Sequence, residues 1–446
     1  MYLKNRLHIL LCFFLPLSLF YSCLGDDDWT DENITYSDAE ILTFSLSHDS
    51  IDALANVVFS IDQRNGLIYN YDSMAYNTDI YEKVIVKYTS GAGTSNALNV
   101  TDGDSVWVAS GDSLDVTKPL TFRTYALNGI TQKYYTIKLN IHQVDPDSVQ
   151  YHRIASGLAF LETEETKSIL FNNVFYAYSK LNDEIQLYTS KDAITWTKGN
   201  LTGLPENVVL KELRGYSDVV IAFTDEGGIY QSSNATDWQT ISADYPVISI
   251  LGYLKPTATQ TGGFSFVVEK DGNHVFAYSP DLESWTYGQV IPESFPIKDF
   301  STISYELVKT SRITNIGGAS SDGNVKNSVW STQNGLYWAK IDDEKFNIIP
   351  PMEGANAFYY NDELWVMNGK LKDGTYNEKV YYSINGGTEW LEKPEKCETP
   401  NGYEKRYGAS FMMDSQSKYF YVIGGSHSGL LTDIWMGYLN KMEYKN

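Results

Sequence analysis

The chain has 446 residues, in which 34 lysines and arginines face 56 aspartates and glutamates for a formal net charge of −22. A surface this negative repels phosphate backbones, which excludes nucleic acid as an expected partner. Three cysteines are too few for a disulfide framework, so stability must come from buried apolar surface. Aromatic residues make up 14%, with 34 tyrosines and 10 tryptophans; most are expected to pack sheets together, leaving a few as platforms for sugar rings.

Residues 1–22 carry Lys4 and Arg6, then the apolar run "ILLCFFLPLSLFYS" up to Cys23. A charged start and so short a run predict a secretory signal rather than a membrane span. Phe20-Tyr21-Ser22-Cys23 resembles a lipobox, which implies that Cys23 becomes the acylated first residue and ties the protein to a membrane. Leu24-Gly25-Asp26-Asp27-Asp28, with Asp31 and Glu32, follows at once. This resembles the acidic export signal of outer-membrane lipoproteins in Bacteroides-type bacteria, which implies an outward-facing location; a plain solvated tether over 23–38 is the alternative. With Cys12 removed and Cys23 acylated, Cys397 stands alone.

Residues 39–143 hold seven alternating apolar runs, from "AEILTFSLS" to "KYYTIKLNIH", parted by turn signals such as Asp102-Gly103-Asp104 and Asn128-Gly129. The pattern predicts a β-sandwich without a catalytic cluster. The closing phrase "PLTFRTYALNGITQKYYTIKLNIH" resembles the last hairpin of immunoglobulin-like modules in bacterial surface lipoproteins.

Residues 147–446 repeat one phrase five times: "YTSKDAITW", "YQSSNATDW", "YSPDLESW", "WSTQNGLYW" and "YSINGGTEW". Their serines, Ser190, Ser232, Ser279, Ser331 and Ser383, are 42, 47, 52 and 52 residues apart, the period of a four-stranded unit. An oxygen at Asp192, Asn234, Asp281 or Asn385 is placed to accept backbone N–H bonds in a turn, and Gly335 and Gly387 to take positive φ. Trp196, Trp238, Trp285, Trp338 and Trp390 then offer apolar plates to the neighbouring sheet. The phrases resemble the Asp-box of sialidase-like propellers, with Gln333 and Asn385 in place of the acid in the last two copies and no glycine in the first three. In that family the box is a structural fastener, so the resemblance implies architecture.

After the fifth copy, "KRYGASFMMDSQSKYFYVIGG" and "DIWMGYL" give three strands and no phrase, and resemble a kelch blade. The missing outer strand is expected from "SVQYHRIA" at Ser148 to Ala155, closing a six-bladed ring through its two ends and removing an open edge. The fold expected is therefore all-β: an immunoglobulin-like β-sandwich followed by a six-bladed β-propeller. As a whole the chain is similar to two-domain surface lipoproteins of Bacteroides-type bacteria, which implies an architecture and a location.

The chemistry is sparse. A sialidase brings three arginines together on a carboxylate, and the propeller has only Arg153, Arg214, Arg312 and Arg406, at different strand levels. The histidines His8, His48, His142, His152, His274 and His427 show no metal-ligand spacing, and no cofactor motif is present. Glycine-rich segments after the second strands of three blades remain as candidate ligand loops, through Asn315 and Asp322, Lys370 and Asp373, and Ser426 and His427. The expectation is a monomeric surface protein that binds glycans or proteins; a propeller glycoside hydrolase is the alternative.

Overall fold

The computed structural model describes residues 37–80, 83–91, 97–103, 105–163, 165–216, 218–342 and 345–440. The expected signal segment, Cys23 and the expected tether up to residue 36 lie outside the described residues. The chain divides into two compact units, Met1–Gln143 and Val144–Asn446.

The first unit holds nine strands among the described residues, in a three-stranded and a six-stranded sheet. Alternation along Leu120–Tyr125 turns Leu120 and Phe122 inward, where they join Ile41, Val84, Val86 and Ile137 in one core. Two strands beyond the expected seven, Ala97–Asn99 and Ser113–Leu114, are too short to show a period. Leu67–Asn70 pairs in parallel with Gln132–Lys138, bringing an early strand beside the last one.

The second unit is a β-propeller of six four-stranded sheets. The innermost strands of blades one to six are Glu165–Phe171, Arg214–Gly215, Val247–Leu254, Ser301–Glu306, Asn356–Tyr360 and Ser410–Met413. Four blades are built from consecutive strands, and the fifth from strands in chain order with the short strand Lys370–Leu371 set aside between its second and third. The sixth takes Ser410–Met413, Phe420–Ile423 and Ile434–Leu439 from the end of the chain, and Val149–Ala155 from its beginning as the outer strand. Main-chain bonds from Asp147 N–H to Asn440 O (2.8 Å) and from Asn440 N–H to Ser148 O (2.9 Å) continue the ladder where the other blades have a covalent turn.

Each core cluster of this unit lies between two adjacent blades. Phe175 and Ala177 of blade one meet Met412 and Ile434 of blade six. Ile169 and Tyr178 meet Val220 and Trp238 across blades one and two, and Phe266 and Val268 meet Ile221 and Phe223 across blades three and two. The remaining three clusters join blades three and four, four and five, and five and six. A sheet apolar on both faces has no stable single copy, and stacking around a ring buries every face.

The five repeated phrases occupy turns between third and fourth strands. Asp192 Oδ1 accepts the N–H groups of Ile194 and Thr195 (2.9 and 2.8 Å); Asn234 and Asp281 do the same in their turns. In the fifth copy Asn385 Oδ1 accepts Glu389 N–H (3.0 Å).

The fourth copy differs from the register read in the sequence. Its hydroxyl is Thr332 and its acceptor Asn334, which takes the N–H groups of Leu336 and Tyr337 (3.1 and 2.9 Å). Ser331 lies one place earlier in the strand, with its Oγ donating to Ile313 O. Asn, one methylene shorter than Gln333, has the reach an Asx turn needs. Four copies thus share one length, and only Ser383–Trp390 is longer, with Gly386 and Gly387 both at positive φ. The left-handed position that Gly335 fills (φ 73°) is held by Ala193, Ala235 and Leu282 in the first three copies.

The tryptophans pack onto the preceding blade. Trp238 meets Tyr178 edge-to-face at 6.1 Å, Trp285 Nε1 donates to Ser242 O (3.2 Å), and Trp338 Nε1 donates to Ser265 Oγ (3.3 Å).

Candidate functional site

Strand direction fixes which groups meet at each end of the ring. Inner strands start at one face, which also carries the loops between second and third strands; the repeated phrases turn at the opposite face. At the first face the starts of the inner strands of blades one, two, four, five and six enclose a cavity of about 290 Å³ in the central channel. A second recess at the opposite end shares Arg214 and Thr302 with it.

The mouth carries three cations and three carboxylates, each placed by the alternation of its strand or the segment leading into it. Lys211 Nζ pairs with Asp299 Oδ1 at 3.0 Å, reaching from blade two to the segment entering blade four. Arg214 pairs with Glu212 at 2.9 Å and also donates to Lys211 O at 3.0 Å. Glu165 Oε1 accepts the N–H of Leu210 at 2.9 Å. Lys167 faces the same wall, and no salt bridge to it occurs among the described residues. Burial, reinforced by Arg214 and opposed by Glu212, lowers its ammonium to a pKa of about 7. Tyr407 closes another side; burial and then the Asp299 carboxylate beside it hold its phenol well above the usual range, so it remains a donor. Arg214 Nε and Tyr216 Oη are buried without a partner.

Of the six candidate loop residues, only Ser426 lines the cavity, its main chain bonded in both directions to Tyr407 at 2.9 Å. Asn315 is not a loop residue: the blade-four strand runs through Ile316, and the turn begins at Gly317 and Gly318, both left-handed. Its side chain is fully buried and neither amide atom has a partner. Asp322 caps its own turn, accepting from Ser320 Oγ and Asn324 N–H, and these bonds hold its carboxyl at a pKa of about 2. Asp373 does likewise for Thr375. Lys370 sits in a two-residue ribbon opposite Glu353, and the His427 ring lies tilted against Tyr376 with centroids 4.3 Å apart.

The arginines are dispersed. Arg406 is fully buried on Asp433 at 2.8 Å, Arg153 lies over Trp435 at the outer edge of blade six, Arg312 lies in the second strand of blade four, and only Arg214 lines the channel. No cluster of three or more His, Cys, Asp or Glu side chains with metal-holding geometry occurs among the described residues. Lys167 escapes sequence reading because it is a single lysine in an alternating strand, and the charged groups nearest it, Arg214 and Glu212, come from another blade.

With this architecture in hand, residues 145–446 match the model described as the DUF6242 beta propeller domain, and residues 32–139 match that of the DUF6242 N-terminal domain. The chain belongs to the DUF6242 family. No curated protein matches it. Among solved structures, this DUF6242 chain is similar to one titled "Structure of YjhT" (14% identity, 62% of this chain, 95% of that chain, TM-score 0.44). It is also similar to "YCF48 bound to D1 peptide" (11% identity, 68% of this chain, 99% of that chain, TM-score 0.37).

Proposed function

We propose that this DUF6242 protein is a surface-anchored binding protein, held to the outer membrane through Cys23 and capturing a small polar ligand, a glycan or a peptide segment, at the channel mouth of its propeller. One observation carries the reading: a 290 Å³ cavity whose walls come from five blades, with charged side chains converging from blades one and two and the entry to blade four. Concavities walled by several elements of a rigid scaffold, with fixed polar groups converging on them, are where ligands are placed. The N-terminal module serves as a spacer between anchor and propeller.

The test is a glycan array, run beside a panel of glycosides, on the soluble protein from residue 24 onward. Retention of defined glycans without turnover is the expected result. Turnover that disappears when Glu212 or Asp299 is replaced would overturn the binding role in favour of a hydrolase. The anchor is tested separately. Cys23→Ala should move the protein from the detergent phase to the aqueous phase, since a single thiol carries the acyl chains; unchanged partitioning would count against it.

A further inference from the structure

The charges at the channel mouth do not pair off evenly in space. Glu165 is taken by the N–H of Leu210 on one oxygen and by Lys180 at 4.0 Å on the other, Glu212 by Arg214, and Asp299 by Lys211. Lys167 remains, on the inner strand of blade one, facing blade two. The groups around it are Glu165 on its own strand, Tyr178 on the next strand, Lys211, Glu212 and Arg214 on blade two, and Asp299 and Tyr407 across the cavity. A second cation beside an ammonium with no carboxylate of its own is an unfavourable arrangement in water-poor surroundings, and an entering anion would relieve it. The surface at large is strongly negative, so an anion must be attracted locally.

We propose that the channel mouth takes an oxyanion-bearing ligand, its carboxylate, sulfate or phosphate group set against Lys167 with the Arg214 guanidinium behind it. This rests on the channel mouth being the binding site and names the class of ligand. The linkage follows from the charge balance. With an ammonium held near a pKa of about 7, an anion that stabilises the charged form draws a proton onto Lys167, so affinity falls as pH rises above neutrality.

The test uses isothermal titration of the protein from residue 24 onward with glucose and glucuronate as a neutral and charged pair, and with inorganic sulfate and phosphate. Glucuronate should bind at least about ten-fold more tightly than glucose, and about ten-fold more tightly near pH 6 than near pH 9. Lys167→Met should remove both the preference and the pH dependence. Lys167→Arg should keep the preference and lose the pH dependence, because guanidinium stays charged throughout. Binding of sulfate or phosphate without glucuronate would place the ligand among sulfated or phosphorylated molecules. Equal binding of glucose and glucuronate, binding of no anion, or a pH dependence that survives Lys167→Met would overturn the proposal. In those cases array retention lost on replacing channel residues would leave the binding role standing.

Discussion

Asn334 holds two backbone N–H groups in the blade-four turn, while the exposed Gln333 beside it is not the turn's acceptor. Asn334→Ala should therefore cost about 1–2 kcal/mol, the scale of two net hydrogen bonds, in chemical denaturation. Gln333→Ala should stay within about 0.5 kcal/mol. Asn334→Asp should be tolerated, because Asp192 and Asp281 fill the same place in other copies. The reverse ranking of Asn334 and Gln333 would restore the register read from the sequence. That misreading has a physical source: two hydroxyls, Ser331 and Thr332, and two amides, Gln333 and Asn334, stand side by side, and only the reach of the side chain separates them.

Lys167 sets a second test at this scale. Its folded pKa is depressed, so between about 7 and the ordinary lysine range the unfolded chain binds more protons and stability rises with pH. The penalty of keeping its charge buried is full below pH 7 and fades toward alkaline pH. Lys167→Met should accordingly raise the thermal midpoint by a few °C near pH 6 and by much less near pH 10, read by calorimetry in the absence of ligand. A larger gain at alkaline pH would contradict the assigned environment.

At the scale of elements, the sixth blade depends on a strand from the far end of the unit. A propeller fragment starting at residue 158 lacks Val149–Ala155, leaving the ladder donors and acceptors of Ile434–Leu439 as an open edge. Each lost main-chain bond is worth about 1 kcal/mol net, so several together approach a large part of a domain's stability. A fragment starting at residue 145 should melt cooperatively as a monomer, and the shorter one should melt well below it or associate. Equal melting of the two would show that the edge strand is dispensable. This strand was legible in the sequence because one blade had three strands and an alternating run stood unused before the first blade. The two-residue ribbon formed by Met352–Glu353 and Lys370–Leu371 was not legible, since such lengths carry no period and owe their pairing to the blades around them.

For the whole molecule, the ring converts six weak sheets into one stack with a channel at its centre. The fold was readable because tryptophans recurring at sheet-length spacing leave a strong repeat. The site was not, since Lys167, Lys211, Arg214, Asp299 and Tyr407 come together only when the ring closes. The loop residues offered by composition instead satisfy their own turns, as Asp322 and Asp373 do. The most direct test of the central claim, that the ligand sits in the channel mouth rather than on those loops, is one glycan-array measurement on four proteins. These are the wild type, Lys211→Ala, Tyr407→Ala, and the double variant Asp322→Ala with Asp373→Ala, each first checked for an unchanged melting profile. Channel placement predicts that the first two variants lose retention by about ten-fold or more while the loop variant keeps it; retention lost in the loop variant and kept in both channel variants would contradict it.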